Sequence, residues 1–218
     1  MSLTLTSARK GPARADAAIV FLHGYGADGA DLLGLADPLA PHLPGTAFHA
    51  PDAPERSAGN PLGYQWFPIP WLDGSSEAAA RAGMVASVAA LDAYLDGVLA
   101  DEGLTPDRLM LIGFSQGTMM ALHVAPRRAQ AVAGVVGFSG RLLNPDALAT
   151  EARVKPPVLL LHGDQDPVVP FADMDLASRA LQQAGFAVQS HVMKGTQHGI
   201  SPDGLGAALA FAKARLGK

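Results

Sequence analysis

Cysteine is absent from all 218 residues, which removes disulfides, thiolate metal sites, S-acylation and a cysteine nucleophile together. Any nucleophile must be another residue type. Basic charge is also sparse: Lys plus Arg total 16 against 20 Asp plus Glu, for a net charge of −4. The basic residues are scattered, so there is no electrostatic footprint for nucleic acid, and none is expected as a partner. No apolar run approaches the ~20 residues of a membrane span, and residues 1–16 contain nothing resembling a secretory signal. A cytoplasmic protein with no membrane anchor is the expectation. Aromatics make up only 6%, which makes it notable that both tryptophans, Trp66 and Trp71, fall in one segment with Tyr64 and Phe67.

What is present is a chain 49% hydrophobic, of a length that suits one compact domain over residues 1–218. Residues 17–22 (AAIVFL), 108–112 (RLMLI), 132–138 (VAGVVGF) and 157–161 (PVLLL) are continuous apolar runs of the kind buried on both faces of a parallel sheet. Further strands are expected at 46–50 and 187–193, with a short edge strand at 3–5. Between them lie segments of helical character at about 31–42, 77–103, 118–122, 170–184 and 202–216. In the long 77–103 helix, Val85, Val88, Leu91, Leu95, Val98 and Leu99 recur at helical spacing. This alternation predicts an α/β fold: a mostly parallel central sheet, helices on both faces, and a site at the C-terminal ends of the strands. Residues 53–76 have no clear period and carry several prolines. They read as an irregular flap over an apolar pocket, or as a loop whose rings merely staple it to the core.

Two glycine-rich stretches follow predicted strands. His23-Gly24-Tyr25-Gly26-Ala27-Asp28-Gly29 matches G-x-G-x-x-G, with Asp52 at the distance where a ribose-binding acid would be sought. Against a nucleotide site, Asp28 and Asp31 put negative charge where pyrophosphate needs a positive helix end, and Asp52 follows Pro51 in a loop. The same freedom would let the loop offer backbone N–H groups to an oxyanion. The second stretch, Gly113-Phe114-Ser115-Gln116-Gly117, reads G-x-S-x-G between a strand and a helix, the setting of a nucleophile elbow.

A serine hydroxyl needs a base in reach and a carboxylate to orient that base. Asp166 and His198 each lie just past a predicted strand end, as Ser115 does, which places all three on one sheet edge. Asp164 competes with Asp166, but it sits directly in a turn where Asp is favoured for turn bonding alone. His23 and His162 precede turn glycines and read as structural. His42, His49, His123 and His191 read as surface or packing residues. The main-chain N–H groups of Gln116, at a helix start, and of Tyr25, in the glycine loop, are the expected oxyanion donors.

The elbow G-F-S-Q-G, the loop F-L-H-G-Y-G-A-D-G, the acid loop H-G-D-Q-D-P-V-V-P and the histidine in G-T-Q-H-G-I together resemble the phospholipase/carboxylesterase family, which includes acyl-protein thioesterases. The resemblance spans about residues 17–216. It implies an α/β-hydrolase without a large cap domain, with Ser115 as nucleophile, Asp166 as acid, His198 as base, and Tyr25 and Gln116 donating to the oxyanion. Gln65-Trp66-Phe67-Pro68 looks like the bacterial esterase branch, which implies a serine carboxylesterase for small to medium acyl esters. A thioesterase or lysophospholipase, and a catalytically silent binding module, are the alternatives. Trp66, Phe67, Val168, Val169 and Ile200 are the expected apolar pocket. A small-molecule ester is the expected partner, a homodimer is left open, and neither a metal nor a cofactor is implied.

Overall fold

The computed structural model describes residues 4–218. Its strands are β1 (Ser7–Lys10), β2 (Ala17–Leu22), β3 (Thr46–Pro51), β4 (Glu55–Arg56), β5 (Tyr64–Gln65), β6 (Leu109–Phe114), β7 (Gly134–Phe138), β8 (Val158–Gly163) and β9 (Val188–Met193). The helices are α1 (Gly29–Leu33), α2 (Ala36–Leu39), α3 (Pro70–Asp73), α4 (Glu77–Glu102), α5 (Gln116–Val124), α6 (Pro145–Glu151), α7 (Ala172–Gln183) and α8 (Pro202–Leu216). Seven strands form one sheet in the order β1-β3-β2-β6-β7-β8-β9. Every neighbouring pair is parallel except β1 with β3.

The apolar runs become central strands because both faces of the sheet are covered. On β2, Ala18, Val20 and Leu22 join the cluster that includes Leu91 and Leu95 of α4, Met120 of α5 and Leu181 of α7. Ala17, Ile19 and Phe21 point the other way, into the cluster with Leu32 of α1, Leu39 of α2 and Phe211 of α8. Period-2 alternation thus divides one apolar strand between two cores.

Several local expectations change. Leu3 of the expected edge strand lies outside the described residues, while Thr4 and Leu5 are not in a strand, and the edge strand is Ser7–Lys10. All four of its residues are exposed, so apolar patterning gives no sign of it; a charged edge strand also resists pairing with another chain. The helix expected over 31–42 is instead α1, α2 and a 3₁₀ turn (Ala40–His42). Gly34 ends α1, and Pro38 and Pro41 lack the amide donors that a continuous ladder requires.

Helix α4 starts where the Ser76 hydroxyl accepts the Ala79 amide at 3.1 Å and stops at Gly103, with φ of 66°. Val85, expected on its packing face, is 71% exposed, and the buried stripe runs through Gly83, Ser87, Ala90, Leu91, Leu95 and Val98. Among the described helices, α4 is long and apolar enough to cross a membrane by length and composition, contrary to the expectation that no segment would be. In this fold its apolar stripe packs in the same core as α5.

Candidate active site

At the end of β6 the chain turns sharply into α5, and Ser115 occupies the turn with φ 53° and ψ −114°, a region non-glycine residues rarely enter. The flanking glycines make the turn sterically feasible. A Cβ on Gly113 would strike the backbone of Gly117 and Thr118, and one on Gly117 would overlap the carbonyl of Leu22 on the neighbouring strand. Hydrogen bonds hold the strain in place. The Ser115 amide donates to Phe138 O at 2.8 Å, and the buried Thr118 hydroxyl donates to Gly113 O and Phe138 O, each at 2.8 Å.

The loop after β8 carries Asp166, whose carboxylate is fully buried. Its Oδ2 lies 2.7 Å from Nδ1 of His198, and its Oδ1 accepts the amides of Val168 and Val169 at 2.8 and 2.9 Å. Burial pushes this carboxyl up, but the bonds from His198, Val169 and Val168 outweigh it and leave the group below the ordinary carboxylate range. His162 donates from Nε2 to Val169 O at 3.0 Å and braces the same loop.

Asp164 accepts the Gly195 amide at 2.7 Å, and the Gln165 amide donates to Thr196 O at 3.1 Å, so the acid loop and the histidine loop are laced together. Gly163 permits that approach, since any Cβ there would overlap the carbonyls of Thr196 and Gln197. The ring of His198 lies against Phe114, with centroids 4.9 Å apart. With Nδ1 committed to Asp166, Nε2 is the nitrogen left for Ser115, and both residues line one cavity. No hydrogen bond joins them among the described residues; such bonds often close only around a substrate.

The glycine loop serves the backbone. Asp28 caps α1 by accepting the Asp31 amide at 2.9 Å, and Asp52, considered above as a ribose ligand, accepts the Gly29 amide at 2.9 Å. Two carboxylates therefore occupy the helix start that a pyrophosphate would need. His23 is buried and neutral: burial lowers its pKa, Nε2 accepts the Ala53 amide at 2.9 Å, and Nδ1 donates to Gly24 O at 2.8 Å. The amides of Tyr25 and Gln116 have no hydrogen-bond partner among the described residues, and both residues line the cavity with Ser115. Among the described residues no three His, Asp or Glu side chains cluster as a metal site.

The cavity encloses about 490 Å³. The sequence profile of the phospholipase/carboxylesterase family matches residues 6–216. The chain belongs to the phospholipase/carboxylesterase family. As a member it is an enzyme, a serine hydrolase of carboxylic esters with the α/β-hydrolase fold. Acyl-protein thioesterase 1 of Saccharomyces cerevisiae is 31% identical over 211 residues, covering 91% of this chain and 92% of the relative. Esterase YpfH of Escherichia coli is 26% identical over 183 residues, covering 84% and 75% respectively. The crystal structure of esterase PE8 superposes with a TM-score of 0.92 at 39% identity, covering 98% of this chain and 100% of that one.

In this family member, Phe67, Val168 and Val169 line the cavity, together with Ile69, Met119 and Leu143, which sequence reasoning did not single out. Met119 sits one helical turn past Ser115, a spacing that could have signalled it. Two expected pocket residues lie elsewhere. Trp66 is fully buried away from the cavity, with its amide bonded to Gln116 Oε1 at 2.8 Å, its carbonyl to the Ser87 hydroxyl, and its indole donating to His23 O at 3.0 Å. Ile200 packs on the cluster beneath the opposite face of the sheet. Within residues 53–76, Trp66 is tied to the core, and residues 67–72 line the cavity.

Proposed function

We propose that this protein is a cytoplasmic carboxylesterase that hydrolyses small to medium acyl esters by two-step acyl transfer through Ser115. The observation that carries the reading is that Ser115, on a strained turn, shares a cavity wall with His198, whose far nitrogen is bonded to a buried carboxylate at 2.7 Å. His198 Nε2 takes the Ser115 proton as Oγ attacks the ester carbonyl. The oxygen that gains charge is met by the Tyr25 and Gln116 amides, each worth about 3 kcal/mol of barrier. His198 then returns the proton to the departing alcohol, leaving an acyl-enzyme. Water, deprotonated by His198, attacks that ester, and the carboxylic acid leaves as Oγ recovers its proton. Asp166 holds the imidazole in the tautomer with its proton on Nδ1 and steadies its cationic form. A mostly apolar cavity of about 490 Å³ suits an acyl chain of modest length.

Treatment with a fluorophosphonate should leave one covalent adduct, on Ser115, and Ser115→Ala should abolish it together with p-nitrophenyl ester hydrolysis. An unlabelled Ser115 in folded protein would favour a silent binding module. The similarity to acyl-protein thioesterase 1 favours a second reading, an acyl thioesterase. Comparing kcat/KM on matched oxygen-ester and thioester pairs decides between the two.

A further inference from the structure

Tyr25 and Gln116 line the cavity with amides that carry no hydrogen bond among the described residues, and both use their side chains on the same segment. The carboxamide of Gln116, a residue only 1% exposed, accepts the Trp66 amide at 2.8 Å through Oε1 and donates to Phe67 O at 2.7 Å through Nε2. The Tyr25 hydroxyl works at the other end. It accepts the Gly59 amide at 3.2 Å and donates to Asp73 Oδ2 at 3.3 Å. Asp73 in turn closes α3 by accepting the Ile69 amide at 2.8 Å and the Ser75 amide at 2.9 Å. Between the two clamps runs the apolar wall, residues 67–72, with Trp71 73% and Leu72 52% exposed at its outer end. The root of the wall is buried and bonded at every polar atom of Trp66, whereas at its outer end the one hydrogen bond from outside the segment, among the described residues, is that of Tyr25 to Asp73.

We propose that the side chains of Gln116 and Tyr25 are positioning residues that register the wall, residues 67–72, against their own main-chain amides and so set the acyl-chain preference of the reaction. The inference rests on the acyl-transfer reading above. A chain long enough to lie along the wall brings binding energy to the site, and that energy helps the chemical step only if it also seats the carbonyl oxygen at the two amides. With the clamps intact, wall and amides share one rigid frame. With a clamp lost, a long chain still binds, but its carbonyl is no longer held in register. An acetyl group offers the wall only one methyl, so the loss falls less heavily on it than on a long chain.

The test is the ratio of kcat on p-nitrophenyl hexanoate to kcat on p-nitrophenyl acetate. Tyr25→Phe keeps the ring and the main-chain amide and removes only the hydroxyl. It should lower that ratio about three- to tenfold, the scale set by losing the hydrogen bond that holds Asp73, with KM for hexanoate nearly unchanged. Gln116→Met should act in the same direction, and Asp73→Asn combined with Tyr25→Phe should add less than the sum of the two. A merely structural role would scale both esters alike and follow the loss of melting temperature. Equal scaling, or an unchanged ratio, in Tyr25→Phe overturns the proposal, and that variant suffices if Gln116→Met fails to fold. A wild-type protein that turns over neither ester and takes no fluorophosphonate refutes the acyl-transfer reading and this proposal together. Turnover and labelling with an unchanged ratio refute the proposal alone.

Discussion

His198 and Asp166 meet at 2.7 Å, Nδ1 to Oδ2, while the other oxygen of the same carboxylate is held by the amides of Val168 and Val169. The carboxylate is thus oriented from behind before it orients the imidazole. His198 and the two amides supply three hydrogen bonds to the buried carboxylate, and His162 Nε2 lies 3.3 Å from the same Oδ2.

Asp166→Asn should keep the two amide bonds through its remaining carbonyl oxygen and turn an NH₂ toward His198. Donor then faces donor, and the ring relaxes by moving its proton to Nε2, where it cannot accept the one from Ser115. We expect kcat to fall about 10³- to 10⁴-fold in folded protein. A loss under tenfold would argue that this pair is not part of the chemistry.

The depressed pKa of Asp166 also carries a stability prediction. Its contribution is fully present above the unfolded carboxylate value of about 3.9 and is lost as pH falls through the lower folded value. Below about pH 4, then, stability should fall less steeply in Asp166→Asn than in the wild type. Parallel acid-unfolding curves would contradict this.

His123 has a buried Nδ1 without a partner among the described residues, and burial, with Arg127 nearby, pushes its pKa from 6.5 down to about 4. The unfolded imidazole binds a proton that the folded one refuses, so stability is full above 6.5 and declines as pH drops toward 4. His123→Phe removes this liability. Its melting temperature should drop less between pH 7 and pH 4.5 than that of the wild type, and an identical drop would show that the histidine is not responsible.

Glycine positions separate cleanly by what surrounds them. Gly117→Ala would drive a methyl into Leu22 O on β2 and should cost at least about 3 kcal/mol or prevent folding. Gly206→Ala, inside α8 with open space around it, should stabilise by about 0.5–1 kcal/mol. Urea unfolding of both variants checks the pair, and a well-folded Gly117→Ala would mean the elbow can relax.

Trp66 and Trp71 should behave oppositely. Trp66→Phe loses the indole bond to His23 O and leaves that buried carbonyl unpaired, at a cost of about 1–3 kcal/mol. Its ester preference should stay as it was. Trp71→Ala, on an exposed rim, should leave the melting temperature nearly unchanged and raise KM for longer acyl esters. Thermal melts with a chain-length series would reveal the reverse assignment.

The central sheet was legible because the signal is local: six consecutive apolar residues at 17–22 leave few alternatives to a strand buried on both faces. The elbow was legible for a similar reason, since a strand, two glycines around a serine, and a helix are contiguous in the chain. The edge strand Ser7–Lys10 was not, because its pairing with β3 is a backbone matter and its side chains are all exposed. The cavity wall was legible only in part. Trp66 and Phe67 are neighbours of similar character, yet one is fully buried and the other faces the cavity.

The sequence by itself determined which short stretches must be strand, turn or helix, because those choices depend on neighbours within a few residues. Only the tertiary structure decided which side chains share a wall. Where Gln116 places its carboxamide, and whether an aromatic ring packs inward or lines a void, depends on contacts between residues 43 to 50 positions apart. Such distances are set by the packing of elements on the sheet, which local sequence pattern does not encode.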